Sequence, residues 1–170
     1  QNPSASADLG GSEFENNVAI ANAINSGLVL IFHDQGTGNN QVELKNTIPG
    51  LDNVVFVSEP GQDINLHNDV INSAEGSRLN IIKEGLAGSL SNSSLDNAGN
   101  SRNGFVNSNS LPNGSDVILT TNSVNEVVTF VYPHGQGHVI YSSIPINNHM
   151  GDRGTDPGSE NIKTIYAPHL

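Results

Sequence analysis

The chain has 170 residues, no cysteine and no tryptophan, and its 17 acidic against six basic side chains give it a formal charge of −11. Nucleic acid and anionic membrane are therefore excluded as expected partners, since phosphate neutralisation needs clustered Lys and Arg. The lack of cysteine excludes disulfides, thiolate zinc sites and a Cys nucleophile. About one residue in seven is Asn, against 35% hydrophobic and 14% charged residues, so short regular elements joined by long ordered Asn/Gly/Ser-rich loops are expected.

Residues 1–12 read as a polar lead-in to a single domain over 13–170. Phe14, Val18, Ala21 and Ile24 lie on one face of an amphipathic helix. Ser12 with Glu15 fits a capping box, and Gly27 a C-terminal stop. Leu28 to Phe32 is a continuous apolar run and predicts a buried strand. A short helix between Asn39 and Asn46 and a second buried strand at Val54 to Val57 follow. Helix, strand, helix, strand at this spacing predicts an α/β layered fold with a mostly parallel sheet. The middle is less patterned: Ser77 to Glu84 has the makings of one or two helical turns, and Gly88 to Asn113 is a long loop with few apolar anchors. Strands resume at Asp116 to Leu119. Glu126 to Ser143 then reads as a hairpin whose turn is Pro133-His134-Gly135-Gln136-Gly137, ended by Pro145. Asn161 to Leu170 suggests a closing helix. No apolar run approaches the roughly 20 residues that span a bilayer, so no membrane insertion is expected. No signal peptide is visible at Gln1, so export would draw on signals elsewhere in a longer, multidomain parent chain.

The stretches SLDNAGNSRNGFV (94–106), SLPNGSDVIL (110–119), VVTFVYPHGQGHVIYSSIPINNH (127–149) and IYAPHL (165–170) together resemble a bacterial family. This family is the class I glutamine-amidotransferase-like domains, with a flavodoxin-like α/β architecture, found in long secreted adhesins that carry RTX or cadherin-like repeats. The resemblance implies a flavodoxin-like layered fold with a C-terminal β-hairpin, an extracellular or cell-surface location in bacteria, and a further strand and helix ahead of residue 14. It does not extend to amidotransferase chemistry: the nucleophilic Cys is missing, and no GxSxG-like elbow replaces it.

Candidate ligand-binding residues follow from the loops beyond the strands, where open α/β sheets hold their ligands. His33 and Asp34 come directly after a predicted strand; Asn97 and Asn100 sit in the long loop; Asn148 and His149 follow the hairpin. The plainer alternative makes Asp34 a turn cap and His33 a satisfied polar group. His134 and His138 bracket the turn without a third ligand to complete a zinc site. A Ser–His–Asp arrangement would draw on His149 and Asp152 with Ser94 or Ser143. Calcium is the better metal expectation, because it accepts six to eight oxygens in flexible geometry. Its candidate ligands are Asp63 and Asp69, Asp96, and Asp152, Asp156 and Glu160, against the alternative of ordinary Asx turns.

Three functions are consistent with this. The leading one is a non-catalytic module of a large bacterial surface adhesin, calcium-braced, that binds a peptide or glycan or spaces other domains. The second is a hydrolase working through His33, Asp34 or His149. The third is a spacer alone.

Overall fold

The computed structural model describes residues 17–36, 41–85, 88–98, 100–150 and 156–169. The capping box at Ser12 and the apolar contact of Phe14 lie outside these residues. Helix α1 (Asn17–Asn25) ends where Gly27 takes a φ of 111°, the left-handed conformation expected of a stop. Strand β1 (Val29–His33) follows, then α2 (Gln41–Thr47), β2 (Phe56–Val57), β3 (Asn65–Leu66), α3 (Asn68–Ile71) and α4 (Arg78–Lys83). Strands β4 (Glu84–Gly85) and β5 (Gly88–Ser89) pair with each other apart from the main sheet. The second half holds β6 (Phe105–Asn107), β7 (Asp116–Thr120), β8 (Glu126–His134) and β9 (Gly137–Ser142). Two short helices come last, α5 (Ile146–Met150) and α6 (Pro157–Asn161), and α6 runs on into a π-helical turn at Ile162–Tyr166.

The main sheet is mixed and mostly antiparallel, which corrects the expectation of a mostly parallel one. Among the described residues only β1 with β9 is parallel; the β8–β9, β7–β8, β6–β8, β2–β6 and β3–β7 pairs are all antiparallel. An unbroken apolar run marks a strand covered on both faces in β8, but not in β1. Leu28, Val29 and Ile31 are exposed at the sheet edge and Val55 is exposed too, which corrects the expectation that Leu28 to Phe32 and Val54 to Val57 are buried strands. Such a run carries no information on the direction of the neighbouring strand. The segment expected to be a parallel strand, Val54 to Val57, pairs over two residues with β6, which arrives from a distant loop.

Strand β8 is the spine. It carries β7 along one edge, while β9 and then β6 share the other. The register against β7 shifts on either side of Leu119, and across that irregularity the β8 side chains change face. Val128 and Val131 therefore join Ile118, Leu119, Ile144, Ile162 and Tyr166 on one side. Val127, Phe130 and Tyr132 pack with Ile24, Leu44, Ile48 and Tyr141 on the other. Helices α1 and α2 cover the second face; α3, α4 and the π-helical turn cover the first.

The hairpin tip is set by steric need. Gly135 adopts φ 61°, as a two-residue reversal requires at its first position. At Gly137 a Cβ would stand 2.1 Å from the Leu28 carbonyl and 2.3 Å from that of Ile24. The tip thus lies directly on the turn between α1 and β1, and the Gln136 N–H donates to the Asn25 carbonyl at 3.1 Å.

Candidate functional site

The polar groups beyond the C-terminal ends of β1 and β9 converge, and several residues singled out in the sequence meet there. The Asp34 carboxylate is 7% exposed and accepts from the Tyr141 hydroxyl at 2.9 Å and from the Gly36 N–H at 2.9 Å. Burial pushes its carboxyl above the usual range, against the pull of those two donors. His33 Nδ1 donates to the Ile144 carbonyl at 3.1 Å, and its ring stands edge-on to Tyr166. With the proton on Nδ1, Nε2 carries a lone pair that is buried and has no hydrogen-bond partner. Burial holds the imidazole below its ordinary pKa, more than the Ile144 bond raises it.

A chain of contacts runs on from there. The Asn103 side-chain amide donates to the Gln35 carbonyl, its backbone N–H donates to the Ser143 carbonyl at 2.9 Å, and its Oδ1 accepts from Asn100 Nδ2 at 2.6 Å. The Asn100 carbonyl in turn accepts from His149 Nε2 at 3.1 Å. His149 Nδ1 lies 2.9 Å from the Ser159 hydroxyl, which lies 2.9 Å from Asp156 Oδ2. Four segments distant in sequence are tied together in this way.

Ser, His and Asp are in contact here but in the wrong order for nucleophilic catalysis. A triad needs the imidazole between carboxylate and hydroxyl, so that it can take the proton while the carboxylate orients it. Here the hydroxyl lies in the middle, and the second imidazole nitrogen faces a backbone carbonyl. Ser159 is 1% exposed, and Asp156 is occupied as the N-cap of α6, accepting from the Ser159 N–H at 2.9 Å. One hydroxyl proton cannot serve both Nδ1 and Oδ2, so filling all three contacts takes one more proton, on Asp156 or on the ring as an imidazolium. Burial opposes that charge and is the largest influence on His149; the Asn100 bond and Asp156 favour the charge, and Lys163 opposes it. Ser94 and Ser143, the serines considered from the sequence, bond Ser91 and the Gly104 carbonyl instead.

The remaining candidates are scattered. Asn97 is exposed at φ 61°, beside the packed Gly158, and its N–H donates to the Gln62 carbonyl. Asn148 is exposed and its N–H caps back onto the Pro145 carbonyl. Asp63 pairs with the buried Arg102 at 3.1 Å and accepts from the Asn122 N–H. Burial works against ionisation of Asp63, but the Asn122 N–H and the Arg102 guanidinium outweigh it and hold the carboxyl below its usual range. Asp96 accepts from the Ile64 N–H at 2.7 Å, Asp69 stands 3.3 Å from His67, and Glu160 stands 3.8 Å from Lys163. Asp152 lies outside the described residues. Among the described residues no three His, Asp or Glu side chains gather as a metal site would require; Asp63, Asp96 and Asp156 instead accept hydrogen bonds from protein donors.

Sequence reasoning missed Arg102, Tyr141, Ser159 and Tyr166. Arg102 is the one with a usable signal: a rare cation in the middle of a polar loop of a strongly acidic chain. Its guanidinium bonds the Glu59 carbonyl and lies against Gly61, where a Cβ would stand 2.5 Å from it. Tyr166 shares a buried hydroxyl cluster with Ser142 and Thr129, and burial raises its phenol to about 12. Comparison of the chain with protein-family models, with curated proteins and with solved structures found no match.

Proposed function

We propose that this chain is a non-catalytic extracellular module of a large bacterial surface adhesin, which binds a peptide or glycan or spaces neighbouring domains. The supporting observation is the commitment of the reactive-looking groups. Asp34, His149, Ser159 and Asp156 bond one another, buried tyrosine or backbone, in an order that activates no nucleophile. The resemblance noted in the sequence supplies the adhesin context and the extracellular location. The expected outcome is no turnover of chromogenic ester, amide or peptide substrates by the purified chain. Turnover that survives further purification and vanishes in His33→Gln would replace this reading with the hydrolase.

That second reading has one observation in its favour: the buried His33 Nε2 lone pair, which has no hydrogen-bond partner. A base needs a path to its proton, and Tyr166 flanks the ring. Calcium enters the first reading as a brace of the loop from Asp152 to Glu160, the candidate lying partly outside the described residues. A rise in Tm on adding calcium, reversed by EGTA, is expected; an unchanged Tm removes the cation.

A further inference from the structure

Among the described residues, strand β1 ends the main sheet and pairs with β9 alone. The Leu28 carbonyl accepts from the His138 N–H and the Asp34 N–H donates to the Ser142 carbonyl. In a parallel pair the bonding residues alternate, so the even-numbered residues of β1 face β9. The N–H and C=O groups of Val29, Ile31 and His33 therefore point away from the sheet. The side chains of Leu28, Val29 and Ile31 are 49%, 52% and 42% exposed. The strand has no charged residue, no proline and no bulge, the devices that ordinarily blunt an edge. The other outer strands are guarded. Strands β2 and β3 are two residues long, and the Gln41 side chain caps the Phe56 carbonyl of β2 at 3.0 Å.

We propose that this edge binds an extended peptide, with an uncharged β-branched core and basic flanks, as an added strand. The proposal rests on the reading of the chain as a binding module and chooses its ligand class. Free main-chain donors and acceptors at strand spacing are satisfied by another strand. Sugars are commonly held by stacking on exposed aromatic rings, but there is no tryptophan and all three tyrosines are buried. A second copy of the chain fits less well. Each copy carries −11, and a five-residue seam is small beside the roughly 1,600 Å² of a standard interface. The same charge draws in lysine or arginine at the ends of a peptide.

The test uses the whole 170-residue chain and a synthetic peptide of alternating valine and threonine flanked by lysines, with amide exchange followed by NMR. Binding is expected to slow exchange at Val29, Ile31 and His33. Methylating the peptide nitrogens that face β1 is expected to weaken binding about tenfold or more, as is Ile31→Lys in the protein. The methylated peptide keeps the test sharp even where Ile31→Lys disturbs the fold. No slowing at these amides, or equal affinity for the methylated peptide, overturns the proposal. So does an Ile31-dependent dimer by sedimentation, which would give the edge to a second copy. Glycan binding with no peptide response sinks the edge and leaves the module standing, whereas substrate turnover sinks the module.

Discussion

The β8–β9 hairpin and the polar cluster beyond its open end are both buried, yet different forces hold them. In the hairpin, Phe130, Tyr132 and Tyr141 stack within the core and glycine lets the tip touch α1. Its two strands are near in sequence, and apolar burial together with the regular ladder between them supplies its stability. In the cluster, side-chain amides and imidazoles bind backbone carbonyls up to 111 residues away. Each such bond contributes roughly 1 kcal/mol net, whereas leaving a buried group unpaired costs about 1–3 kcal/mol. The hairpin is therefore intolerant of added volume, and the cluster is intolerant of lost partners.

The largest expected effect is at the hairpin tip. Gly137→Ala places a methyl against two backbone carbonyls that cannot rotate away, and a loss of about 3 kcal/mol is expected by urea denaturation. A loss near zero would mean that the tip is loosely held and would remove half of the contrast. Arg102→Met comes next: it removes the cation from Asp63, leaving that carboxylate with the Asn122 N–H, and unpairs the Glu59 carbonyl. Because Asp63 is partly exposed, about 2 kcal/mol is expected, below the range for a fully buried pair. Asn103→Ala removes the donor to Gln35 and the acceptor for Asn100, for about 1 kcal/mol. A loss from Asn103→Ala equal to that at Gly137 would show that the cluster breaks as one cooperative unit.

The smallest effect is a pH slope. Burial keeps the folded pKa of His33 and of His149 below the ordinary 6.5, so below that pH the unfolded chain binds more protons than the folded one. Their contribution is whole above pH 6.5 and is lost as pH falls from there through the folded values. Thermal melts across this window should show it, with a shallower slope in His33→Gln. Asp34 has the opposite sign: its raised folded pKa favours the fold below the ordinary 3.8, and that benefit is lost as pH rises through the folded value. Asp34→Asn is therefore expected to be no less stable than the parent at pH 7. A marked loss there would show the carboxylate to be held in its charged form.

The elements that were legible in the sequence are those whose signal is local. The stop at Gly27, the strands β1, β7 and β8, the reversal at Gly135 and the turn of helix at α4 stand close to where they were expected. Among the candidate site residues, Asn100, His149 and Asp156 are linked through Ser159 in one hydrogen-bonded chain, while His33 and Asp34 lie at the end of β1 with partners of their own, Ile144 and Tyr141. Asn97, Asn148, Asp63, Asp69, Asp96 and Glu160 do not join them. An Asp or Asn in a loop looks the same whether it caps a turn or awaits a ligand.

Periodicity and turn chemistry, acting over a few residues, determined where α1, β1, β7, β8 and the hairpin turn lie. Strand direction was decided only in three dimensions, since β6 and β7 reach β8 from loops whose sequence carries no pairing code. The order in which Asn100, His149, Ser159 and Asp156 bond was decided there too, because hydrogen bonds between distant segments depend on angles and distances that no spacing along the chain encodes.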